Sequence, residues 1–140
     1  MIKGYRDLEV WNRAHKLVLS VYGVTWRVSQ RERFGVVSQL RRAACSVPAN
    51  IAEGFGRRHT KELLQALAVA NGSLEELHYF LLLSKDLNYL SEGTHEALER
   101  DARAIAQMLA ALARSLKARA ESRSQLLARN TEHESRKTPG

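Results

Sequence analysis

Leu63, Leu67, Ala70, Leu74, Leu77 and Leu81 follow one another in steps of four and three, and Leu98, Ala102, Ile105, Leu109, Leu112 and Leu116 repeat the alternation. Strands place side chains alternately on two faces and cannot generate such steps. Helices of ~3.6 residues per turn bring every one of them onto a single stripe. The same alternation is the seam of left-handed helical bundles. The expected fold class is therefore all-α.

Punctuation divides the chain into four helices. Asp7 is the expected N-cap of a first helix reaching Val28, with Glu9 in its first turn. Ser29-Gln30-Arg31-Glu32 reads as a capping box opening a second helix that ends near Gly54 and Gly56. Thr60 is the expected cap of a third helix running to about Asn88, and Ser91 begins the fourth. Links this short force antiparallel neighbours, so an up-down-up-down four-helix bundle is expected over residues 1–120. Residues 121–140 are polar and mixed in charge, and are expected to fray and then lose order.

The second helix carries an unusual face. Gln39, Arg42, Ser46, Asn50, Glu53 and Arg57 fall within roughly 80° of one another. Leu40, Ala44, Val47 and Ile51 form the neighbouring apolar stripe, with Cys45, Ala49 and Ala52 as a strip of small residues. Polar residues flanked on both sides by residues suited to burial predict a satisfied network inside a helical assembly. Pro48 removes one amide donor from this helix, so the Ala44 carbonyl needs another partner, for which Ser46 and Asn50 are the candidates.

One bundle does not bury all the apolar surface. The first helix carries apolar residues over roughly 220° of its circumference, where an isolated bundle needs a stripe only somewhat wider than ~100°. The third is wider still, and Gly72 interrupts it at a cost of about 1 kcal/mol relative to alanine. Trp11, Leu19, Tyr22, Trp26, Val69, Gly72 and Phe80 are the expected contacts of a homo-oligomer packed through helices 1 and 3.

The net charge of +7 and pI near 10 favour an anionic partner. Residues 1–113 contribute +3 and residues 114–140 contribute +4. Arg41, Arg42, Arg57, Arg58 and Lys61, around the second helix and the turn after it, are the candidate phosphate contacts. Arg42 and Arg57 also belong to the polar ladder, which leaves Arg58 and Lys61 as the better candidates. Few aromatics and no reader motif point to backbone recognition without sequence readout. A protein-binding scaffold without nucleic acid is the alternative.

No chemistry-bearing motif competes with a binding role. Glu75-x-x-His78 and Glu92-x-x-His95 have the spacing of a dimetal bundle site. In a hairpin turning near Leu90, however, His78 should stand level with Ala102, about 10 Å from His95. His95 is then a solvated residue of a helix start. Glu53 reads as an i, i+4 ion pair with Arg57 rather than as an acid–base catalyst with His59 and Glu62. Neither a metal, a cofactor nor an enzymatic activity is expected. The single Cys45 excludes an intrachain disulfide. MIKGYRDLEVW lacks the apolar run of a secretion signal and no stretch is long enough to span a membrane, so a cytoplasmic location is expected.

DLEVW at Asp7–Trp11, SQLRRAACSVPANIAEGFGR at Ser38–Arg57 and AVANGSLEEL at Ala68–Leu77 together resemble the bacterial four-helix bundle proteins called 23S rRNA-intervening sequence proteins. The pattern is similar to that of the accessory variability determinant of diversity-generating retroelements, and covers about residues 5–118. The resemblance implies a non-enzymatic, ring-like homopentamer. In the retroelement branch the oligomer binds nucleic acid and a reverse transcriptase. Intervening-sequence members are encoded within rRNA genes, which suggests association with RNA. Ser29 stands where the family often has proline, and Cys45 where valine is usual.

Overall fold

The computed structural model describes residues 3–28 and 34–137. After a 3-10 turn at Tyr5–Asp7 come α1 (Glu9–Thr25), α2 (Val36–Phe55), α3 (Thr60–Asp86) and α4 (Glu92–Lys137). Consecutive helices pack side by side and α4 returns against α1. The result is a four-helix bundle, as the stepped stripes require.

Its core is the set of residues that the periodicity selects. Leu67, Ala70, Leu74, Leu77 and Leu81 of α3 meet Leu98, Ala102, Ile105 and Leu109 of α4, with Leu40, Ala44, Val47 and Ile51 from α2. From α1 come Val10, Ala14, Leu17 and Val21. Burying each large apolar side chain contributes about 1.5 to 3 kcal/mol, which offsets the entropy of ordering the helices.

Several boundaries differ from expectation. Asp7 does not cap α1: its carboxylate accepts the amides of Lys3 at 2.8 Å and Gly4 at 3.3 Å, holding the 3-10 turn instead. Leu8 occupies the N-cap position, and α1 stops at Thr25 rather than Val28. The Ser29–Glu32 capping box lies outside the described residues, and α2 starts only at Val36. Thr60 is the first residue of α3 rather than its cap; His59 holds that position without a side-chain hydrogen bond.

The α3–α4 turn has a definite mechanism. Asn88 adopts a left-handed conformation (φ 64°), Tyr89 N donates to Ser84 O at 2.8 Å and Asn88 N to Lys85 O at 2.9 Å. This paired closure satisfies the last carbonyls of α3, with asparagine tolerating the geometry that glycine usually supplies. Ser91 then caps α4 as expected, its Oγ accepting Thr94 N at 3.1 Å.

At 46 residues α4 is far longer than its 27-residue neighbour α3. Packing fades where the pattern does, since Ala120 is the last partly buried residue and all of 121–137 is exposed. The helix itself does not end near Glu121. No glycine or proline occurs between Gly93 and Pro139, and Ala, Leu, Arg, Glu and Gln dominate, so nothing local breaks it.

Pro48 is buried inside α2. Asn50 Nδ2 donates to the Ser46 carbonyl at 2.7 Å, not to that of Ala44. Gly54, expected at the helix end, lies within α2, where a Cβ would come 2.7 Å from Ala66 Cβ. It marks a close approach of α2 to α3.

Candidate functional site

The polar ladder of α2 exists, but as a clamp between helices. Ser46 Oγ lies 2.7 Å from Ser73 Oγ of α3 and accepts Asn50 Nδ2 at 3.0 Å. Arg42 donates from Nε to Gln39 Oε1 at 2.9 Å and pairs through Nη2 with Glu76 of α3. Arg57 is held by Glu53, Nε to Oε1 at 2.7 Å. The bond to Glu53, its charge and that of Glu62 raise the Arg57 pKa above its ordinary value. Arg42, Glu53, Arg57 and Glu76 are each about half exposed in the single chain, so solvent screens both pairs and each adds little to stability.

Arg41 faces the other way, toward α1. Its guanidinium carbon stands 4.4 Å from the centroid of the Tyr22 ring, and Nε donates to Thr25 Oγ1 at 3.0 Å. Its Nη2 is buried without a hydrogen-bond acceptor. The five candidate phosphate contacts therefore separate. Arg41, Arg42 and Arg57 are engaged within the bundle, while Arg58 and Lys61 are exposed and make no ion pair among the described residues.

Lys61 has a neighbour that spacing did not reveal. Together with Lys117 of α4 it lines a groove of about 620 Å³ whose walls include Leu64, Leu67, Ala68, Leu109 and Ala113. The antiparallel turn thus brings the start of α3 to the basic second half of α4. The signal was available in the sequence: pairing α3 with α4 across the Asn88 turn opposes their low and high numbers.

The expected interface residues also divide. Leu19, Tyr22, Trp26 and Val69 are exposed, as is Gly72, where a Cβ would meet nothing within 4 Å. Trp11 and Phe80 instead pack partly buried against the core. Trp11 stacks on His15 at 5.2 Å and meets Tyr5 at 5.0 Å. Tyr79, Leu82 and Phe34, not selected from the sequence, are exposed apolar side chains.

The histidines correct an expectation of register. Glu99, not Ala102, stands opposite His78, with Oε2 at 2.5 Å from Nδ1. His95 is not solvated: its side chain is 14% exposed, and Nε2 lies 3.7 Å from Glu99 Oε1. One buried carboxylate thus bonds His78 and lies near His95, whose Nε2 makes no hydrogen bond, with Arg103 at 3.8 Å, while Glu75 and Glu92 stay outside on the surface. Among the described residues no group of three potential ligands could hold a metal ion.

Tyr22 also touches Cys45. The charge of the Cys45 thiolate, burial and a hydrogen bond to Cys45 raise the phenol pKa above 10.0, against the opposing pull of Arg41. A phenol whose folded pKa is raised favours the fold below its unfolded pKa, and that contribution is lost as pH climbs through the folded value. Cys45→Ala should therefore move one tyrosine ionisation to lower pH in an ultraviolet absorbance titration. An unchanged curve would show that the thiol does not govern it.

With the bundle and its two lateral faces defined, the class is an all-α four-helix bundle. The sequence profile of 23S rRNA-intervening sequence proteins matches residues 6–111, and the chain belongs to that family. A crystal structure from Bacteroides thetaiotaomicron, of a protein of unknown function from the S23 ribosomal protein family, superposes with a TM-score of 0.69. That likeness, at 20% identity over 74% of this chain and 97% of the other, concerns the fold. No curated protein matches. Among the described residues no helix is long and apolar enough to cross a membrane.

Proposed function

We propose that this protein is a non-enzymatic, cofactor-free homo-oligomer, a pentamer as the family resemblance implies, that binds nucleic acid, with RNA as the first candidate. The observation that carries this reading is the meeting of Lys61 and Lys117 on one groove. Arg58 precedes Lys61, and Arg114, Arg119 and Arg123 flank Lys117, so cations from both halves of the sequence collect at one end of the bundle. Phosphates placed there would be held by charge and arginine forks, with no base readout.

Low-salt binding of single-stranded RNA that weakens steeply with added salt is the expected behaviour. Arg58→Ala combined with Lys61→Ala should make the slope of log K against log salt shallower by roughly 1 to 2, the share of two lost phosphate contacts. Undiminished binding by that variant would remove this end as the contact site. The exposed Leu19, Trp26 and Tyr79 favour a second reading, a protein-binding scaffold with a partner such as a reverse transcriptase. In that case the wild type would retain no RNA at any salt concentration.

A further inference from the structure

We infer that copies of this chain join head to tail, the groove between α1 and α2 of one receiving the outer face of α3 of the next, with Arg41 meeting Glu75. The inference rests on the oligomeric reading above and adds the faces, their polarity and the charge pair that fixes register.

The receiving groove has a ridge and a floor. Leu19, Tyr22 and Trp26 rise along α1, at 58%, 42% and 70% exposure, beside the small residues Cys45, Ala49 and Ala52 of α2. Small side chains let a neighbouring helix approach closely, and the aromatic ridge gives it apolar area to cover. At the groove sits the half-buried Arg41, whose guanidinium makes no ion pair among the described residues. The acceptor that suits it is a carboxylate.

The outer face of α3 supplies one. Ala68, Gly72, Glu75, Tyr79, Leu82 and Asp86 are spaced by four, three, four, three and four, a second bundle-type stripe roughly opposite the core. All six are exposed. Gly72 has open space before it, Tyr79 and Leu82 provide apolar surface, and Glu75 makes no hydrogen bond or ion pair among the described residues.

Heights agree as well. Arg42 pairs with Glu76 and Ser46 with Ser73, so Arg41 stands level with about residue 77, within one helical turn of Glu75. Both stripes run lengthwise. Rotation about an axis parallel to the bundle preserves height, so the next copy's Glu75 arrives within an arginine's reach of Arg41. Two different faces make a heterologous contact, which closes into a ring when the rotation allows.

The test uses the full chain and light scattering. Glu75→Arg, on an exposed face, should reduce the assembly to the 15.8 kDa chain with an unchanged circular dichroism spectrum. Arg41→Glu should do the same, and the two together should restore assembly. Should Arg41→Glu fail to fold, oxidative cross-linking decides. Gly72→Cys beside the native Cys45 should give a ladder beyond the dimer, lost on Cys45→Ser. A ladder that stops at the dimer and survives Cys45→Ser would mean α3 meets α3, and overturns the inference. So would an oligomer indifferent to Glu75→Arg. A wild type that is itself monomeric would overturn the oligomeric reading along with it.

Discussion

Leu77→Ala should destabilise the protein by roughly 2 to 5 kcal/mol, the range for removing a fully buried leucine and leaving a cavity. Leu77 has no exposed surface and lies within the single core cluster to which all four helices contribute. Its neighbours along the stripe, Leu74 and Leu81, are equally enclosed, so little freedom remains to collapse into the space. Against a total stability of about 5 to 15 kcal/mol, such a loss would leave a substantial unfolded fraction on warming. Urea unfolding at one fixed chain concentration reads it as a lower midpoint with unchanged slope, since assembly would otherwise add its own stabilisation. Leu82→Ala is the control: at 44% exposure that leucine should cost the single chain far less. Equal losses for the two would mean that the core is not where the structure puts it.

Gly54→Ala should also destabilise, although helix propensity alone predicts the opposite. Alanine in a helix interior is favoured over glycine by about 1 kcal/mol. The new Cβ, however, would stand 2.7 Å from Ala66 Cβ and 3.0 Å from Leu63 Cδ1, where carbon atoms prefer about 3.5 to 4.0 Å. The Ala66 Cβ cannot rotate away. α2 and α3 would have to part against the Ser46–Ser73 and Arg42–Glu76 clamps, an overpacking cost of about 1 to 3 kcal/mol. A net loss near 1 kcal/mol is expected, larger for Gly54→Val. Ala66→Gly should recover part of it, a coupling that a double-mutant cycle reads directly. Gly72→Ala, with nothing within 4 Å, should instead stabilise the isolated chain.

The fold was largely legible because bundle seams are written as periodicity. From Leu67 to Leu109 every leucine of the two stepped stripes is buried, and Leu63, Leu112 and Leu116 at their far ends are partly so. Helix ends were less legible, because Asp7 and Thr60 are good caps by type yet the backbone turns one residue away from where each would act. Register across the α3–α4 turn was invisible to simple counting. The Asn88 closure lets Glu99 rather than Ala102 face His78, and so gathers two histidines that spacing had kept apart. The polar ladder was legible as a set, but its partners Ser73 and Glu76 come from another helix and no pattern within α2 names them. Arg41, one residue from Arg42, turns out to point into a different groove, since ~100° of rotation separates adjacent helical residues.

The length of α4 bears on how the oligomer should be counted. Forty-six helical residues extend about 69 Å, whereas α3 spans about 40 Å. A particle carrying such a spar tumbles and diffuses more slowly than a sphere of equal mass. Gel-filtration columns calibrated with round standards would report too many copies, and a lone chain could pass for a pair.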